Sequence, residues 1–90
     1  MVKTDRRLEA TSLQLLAEVA SSPYRSVRAL ADAMNVDYST LNRQVNGKAT
    51  LRMERIFDIL EVLEVPIADF FISVQHRLDG TRVTVLQRTA

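Results

Sequence analysis

Ninety residues suit one domain and hardly leave room for two, and 47% apolar with 26% charged side chains is a globular composition, neither disordered nor membrane-embedded. With no cysteine, disulfides, thiolate catalysis and cysteine-held metals are excluded; one histidine, His76, and two glycines, Gly47 and Gly80, argue against a catalytic triad, a histidine metal cluster and a phosphate-cradling loop. The net charge of +1 hides a basic stretch: residues 25–55 carry Arg25, Arg28, Arg43, Lys48, Arg52 and Arg55 against Asp32, Asp37 and Glu54, whereas residues 56–70 hold only Asp58, Glu61, Glu64 and Asp69.

No enzyme activity, metal or cofactor is expected from this inventory. Nor is a membrane role, since no apolar run approaches the roughly 18 residues that span a bilayer, and Met1-Val2-Lys3-Thr4-Asp5 does not read as a signal peptide. One positive face, the footprint a polyanion partner needs, is a possibility the charge distribution leaves open beside ordinary scattered surface charge.

In chain order, Leu8, Leu15, Leu16 and Val19 recur at helical spacing, which predicts an amphipathic helix over residues 6–21. Ser21-Ser22-Pro23 stops it. Ser26 then caps a short helix from Val27 to Met34. Asn35-Val36-Asp37 is a tight connection in which asparagine tolerates left-handed geometry and Asp37 caps the next helix, Tyr38 to Val45, with Leu41 and Val45 on its inner side. Asn46-Gly47 ends that helix. Thr50 is expected to cap a fourth helix carrying Met53, Ile56, Phe57, Leu60 and Leu63, and after Glu64-Val65-Pro66 the period restarts with Ile67, Phe70, Phe71, Val74 and Leu78. Phe57, Phe70 and Phe71 all lie on these apolar stripes and are read as core.

The tail is ambiguous. Residues 67–78 fit a helix ended by Asp79-Gly80, yet Ile72, Val74, His76 and Leu78 also alternate ahead of a turn-forming Asp-Gly pair. A hairpin would set Arg77 opposite Arg82, a like-charge pair, so helix followed by strand is preferred. Either way Thr81-Arg82-Val83-Thr84-Val85-Leu86 reads as a strand. The predicted architecture is mainly α: a five-helix body over residues 1–71 and a β-strand or hairpin extension over 72–90. A lone strand needs a partner. That makes Val83 and Val85 the candidate dimerisation residues, pairing with the same segment of a second chain.

Two short helices joined by a tight turn, with small Ala31 at their crossing and apolar Val36 as a wedge, make a helix-turn-helix candidate. The stretch from Ser26 to Lys48 resembles the phage repressor and Cro-type (XRE-like) helix-turn-helix family. Leu30-Ala31, the apolar turn residue, Ser39-Thr40-Leu41 and Asn46-Gly47-Lys48 all fall at the family's spacing. The resemblance covers about residues 8–71, including Leu63-Glu64-Val65-Pro66-Ile67 between the fourth and fifth helices.

That resemblance implies that Tyr38, Ser39, Asn42 and Arg43 face bases, that Asn46 and Lys48 contact phosphate, and that Ser26 and Arg28 abut the backbone at the start of the second helix. Helical spacing agrees, because positions one, four and five after Tyr38 share its face, opposite Leu41 and Val45. Arginine can read guanine and asparagine adenine, and a helix N-terminus favours a phosphate. The chain departs from the family in having Val27 where glutamine usually opens the second helix, and Gln44-Val45 where an apolar residue and glutamate are usual. Blander roles stand beside these: Tyr38 covering the helix junction, Arg43 and Lys48 as solvated cations, His76 as an inert surface or interface residue, and Asp58, Glu61 and Glu64 as a solvated helix face.

The function these features imply is sequence-specific binding of double-stranded DNA by a transcriptional regulator. The expected form is a repressor acting as a homodimer on a palindromic operator, in the cytoplasm of a bacterial or phage-infected cell. The alternative is an antitoxin-type module that sequesters a toxin and represses its own operon; a toxin or an antirepressor is the protein partner such readings allow.

Overall fold

The computed structural model describes residues 5–89, with side chains over 5–80. Helix α1 (Arg6–Ser21) starts where the Asp5 carboxylate accepts the Arg7 N–H at 2.9 Å, and stops at Ser22, whose hydroxyl donates back to the Val19 carbonyl at 2.6 Å. Helix α2 (Val27–Met34) is capped by Ser26, which accepts from the Ala29 N–H at 3.1 Å. Asn35 ends it in the left-handed region (φ 57°), and the Val36 N–H reaches back to the Ala31 carbonyl at 3.0 Å. That reach across five residues closes α2 as a Schellman turn. Helix α3 (Tyr38–Val45) follows at once, capped by Asp37.

The exit of α3 uses the same device. Lys48 N–H donates to the Arg43 carbonyl at 2.8 Å around Gly47, whose φ of +75° is what calls for glycine. Residues 49–52 then run without helix, and Leu51 turns onto the rim of the core. This corrects the expectation that Thr50 caps α4: α4 (Met53–Leu63) begins after Arg52, which makes no side-chain cap bond. Burying Leu51 from non-helical chain delays the helix. Glu64 closes α4 at φ 59°, a third left-handed terminus, here on a residue without glycine's freedom.

Helix α5 (Ile67–Thr89) packs along α1, and α2 lies mainly against α3. The interior between them is formed by Leu15 and Val19 of α1, Leu30 and Ala31 of α2, Leu41 and Val45 of α3, Ile59 and Leu60 of α4, and Phe70 of α5, all at most 2% exposed. Phe70 meets Phe71 edge to face at 5.1 Å. Arg77 joins α5 to α1 by donating to Gln14 Oε1 at 2.7 Å.

Three expectations fail here. Phe57, on the apolar stripe of α4, is 41% exposed, and Leu8 of α1 is 62% exposed. Periodicity gives the direction a side chain points, not whether a neighbour reaches it. The larger correction is the tail: helix runs unbroken from Ile67 to Thr89, and no strand or hairpin exists among the described residues. Gln75 Nε2 donates to Asp79 Oδ1 at 2.8 Å, an i,i+4 pair that carries the helix across the Asp-Gly step. With no strand to pair with among the described residues, helical bonding satisfies the backbone polar groups of residues 81–87, which a lone strand would leave open. The role expected of Val83 and Val85 rested on that strand; their side chains lie outside the described residues.

Candidate nucleic-acid interface

Local rules place α3. Asp37 Oδ2 accepts from both the Thr40 N–H (2.9 Å) and the Thr40 hydroxyl (3.0 Å), fixing the first turn. Leu41 and Val45 are fully buried, so the opposite side of α3 is outward. Ala31, fully buried, lets α2 approach, and half-buried Val36 fills the turn. These are the parts assigned to them by sequence.

On the outward side, Ser39 and Arg43 are exposed on α3, and Lys48 is exposed just beyond it. Asn42 is half-buried, and its Oδ1 accepts from Asn46 Nδ2 at 3.0 Å, while the same amide donates to the Asn42 carbonyl at 2.7 Å. Asn46 therefore spends its donor inside the helix end. Asn42 keeps its own amide donors and the second lone pair of Oδ1, enough for a two-point contact with adenine. At the start of α2, Ser26 accepts from Ala29 yet retains its hydroxyl proton for an outside acceptor. Arg28 lies over the ring of Tyr38, Cζ 4.1 Å from its centroid. Tyr38 is half-buried and packed on the core, so its ring covers the junction of the two helices.

Two residues were missed. Arg25, exposed immediately before the Ser26 cap, is held at φ 66° while Ser22 Oγ accepts from its N–H at 3.4 Å, which adds a cation at the entrance of α2. Its charge was visible in the sequence, but its left-handed backbone was not signalled by any Gly or Asn. Thr40, which the sequence marks only through the Ser39-Thr40-Leu41 match, is also the partner of the Asp37 cap, at the three-residue spacing of a capping contact. Gln44, at a position where the family has an apolar residue, buries its Oε1 with no hydrogen-bond partner and lines a shallow cleft with Arg52, Glu54, Arg55 and Asp58.

The helix-turn-helix family model matches residues 24–70, and it is of the XRE type. This chain belongs to the XRE family of helix-turn-helix DNA-binding transcription regulators. No curated protein and no solved structure matches it. The matched segment runs from just before α2 to the first turn of α5, and the two short helices joined by a tight turn within it are α2 and α3. No helix among the described residues is long and apolar enough to cross a membrane.

The Asp37 cap has a pH consequence. The Thr40 N–H and hydroxyl hold its carboxyl below the ordinary 3.8, with burial opposing weakly. The unfolded chain therefore binds this proton more tightly than the folded one. The stability it contributes is complete above the unfolded pKa and disappears as pH falls through the lower folded value. Thermal melts from about pH 5 downward should show Asp37→Asn, which keeps the acceptor without the titration, losing less stability than the parent. Equal acid sensitivity would remove the cap from the explanation.

Proposed function

We propose that this helix-turn-helix protein is a transcriptional repressor that binds one palindromic operator as a homodimer, α3 entering the major groove of each half-site. Ser39, Asn42 and Arg43 read base edges, while half-buried Tyr38 covers the junction of α2 and α3 beside them. Ser26, Arg28 and Lys48 touch the flanking phosphates, and Asn46 joins them only by giving up its side-chain bonds to Asn42. The observation that carries the reading is the outward side of α3. It presents Ser39 and Arg43 unburied within the stretch that matches the helix-turn-helix family, with Lys48 exposed at its end. Exposed donors at base-edge reach are what direct readout requires. The acidic residues Asp58, Glu61 and Glu64 lie on α4 and its terminus, all exposed and off the reading helix.

Selection from random double-stranded DNA tests this. The expected product is a two-fold site with half-sites about 10 base pairs apart, and deleting one half-site weakens binding by about 10²–10⁴-fold because the second contact is no longer tethered. Enrichment of no sequence rejects the reading. Enrichment of a single asymmetric site rejects the dimer. On the selected site, Lys48→Ala should weaken all sequences about equally and lower the salt slope by about one. An unchanged slope takes Lys48 out of the phosphate set.

A further inference from the structure

We infer that Tyr38 is a positioning residue: its ring is the platform on which α2 holds the Arg28 guanidinium ready for a DNA phosphate. The inference rests on the DNA-binding reading above and assigns a division of labour within it. Arg28 Cζ stands 4.1 Å over the Tyr38 centroid, joining the first turn of α2 to the first residue of α3. Other side-chain hydrogen bonds of these two helices are local: Ser26 with Ala29, Thr40 with Asp37, Asn46 with Asn42. Val27 opens α2 with an apolar chain that offers no polar contact across the junction. Among the described residues, the stack is the polar tie between the helix that abuts the backbone and the helix that reads bases.

The chemistry points outward. Among the described residues the ion pair seen is Arg7 with Asp5, so no carboxylate stands within ion-pair distance of exposed Arg28, with Asp32 one turn on along α2. With its Cζ over the ring and no side-chain hydrogen bond of its own among the described residues, the guanidinium keeps N–H donors for an acceptor that arrives from solvent. A tetrahedral phosphate oxygen is such an acceptor. Tyr38 is anchored by its own packing, so the platform is rigid and Arg28 loses its rotamer freedom before DNA arrives, not on binding. The ring face covered by Arg28 is no longer available to a base.

The test compares Tyr38→Phe, Tyr38→Leu, Arg28→Ala and the Tyr38→Leu/Arg28→Ala double variant on the selected operator and on unrelated DNA. Tyr38→Leu and Arg28→Ala should each weaken both DNAs by about 5–10-fold and lower the salt slope by about one. The double variant should be no weaker than Arg28→Ala alone, and Tyr38→Phe, which keeps the ring face, should bind like the parent. Additive losses in the double variant overturn the inference. So does a Tyr38→Phe protein that loses preference at one operator base pair, since the hydroxyl would then be a base reader. Arg28 is exposed, so Arg28→Ala is read without disturbing the core. The stack is also measured without DNA: the Arg28 side-chain protons should show an upfield ring-current shift in the parent and in Tyr38→Phe, lost in Tyr38→Leu. Absence of that shift in the parent overturns the platform by itself, whereas a normal shift with no binding to any DNA defeats the DNA-binding reading instead.

Discussion

Phe70→Ala should cost the fold about 3–5 kcal/mol, the range for truncating a fully buried aromatic residue. Phe70 has no exposed surface, sits in the first turn of α5 with its N–H on the Pro66 carbonyl at 3.0 Å, and meets Phe71 edge to face. Truncation removes the ring's own burial, leaves a cavity that the surrounding helices refill only in part, and deletes an aromatic pair. A domain of this size commonly has about 5–15 kcal/mol in total, so the variant should be marginal at ambient temperature. Each kcal/mol lost lowers the melting midpoint by about 4–8 °C in a chain of this length. The informative control is Phe57→Ala. Phe57 belongs to an equally regular apolar stripe but is 41% exposed, and its loss should be about 1 kcal/mol, the ordinary cost of a point substitution. Far-UV circular dichroism during urea and thermal unfolding measures both. Equal losses at the two positions would contradict the packing of α5 against the body.

Arg43→Ala should relax sequence preference at one base pair of each half-site, costing about 1–3 kcal/mol there, and should change binding to unrelated DNA much less. Arg43 is exposed on α3, so its removal leaves the buried Leu41 and Val45 untouched and the fold intact by circular dichroism. Asn42→Ala should do the same at a neighbouring base pair. It has an added consequence, because Asn46 Nδ2 then loses its bond to Oδ1 and keeps only the one to the carbonyl of residue 42. Binding to a panel of operators with each base pair changed in turn separates the two positions. A uniform loss over the whole panel would make either residue a backbone contact and shift the reading role to Ser39.

The capping contacts were legible in the sequence because each acts within three or four residues. Ser26 to Ala29 and Asp37 to Thr40 are such contacts. Asn35 and Gly47 hold the positive φ that those residue types tolerate, and the bounds of α2 and α3 follow from these termini. The helix-turn-helix was legible for the same reason: a small residue, an apolar turn residue and two caps form a local pattern. Glu64 and Arg25 escaped, since nothing in their side chains favours the left-handed region they occupy.

By itself, then, the sequence determined which segments are helical up to Phe71, where α2 and α3 turn, and which family the turn belongs to, while 72–78 fitted helix and strand alike. Only the tertiary structure decided that Phe70 is core and Phe57 is not, that Leu8 faces outward, and that Leu51 takes the chain past Thr50 before α4 can start. It also decided the Tyr38 ring, which lies beneath Arg28 because the packing of α2 against α3 sets the Arg28 Cζ 4.1 Å from the ring centroid. The tail shows the same division. Alternating Thr81-Arg82-Val83-Thr84-Val85 carries a strand's local preference, but a strand requires a second strand, and none exists among the described residues. A helix closes its own hydrogen bonds, so the backbone continues as α5.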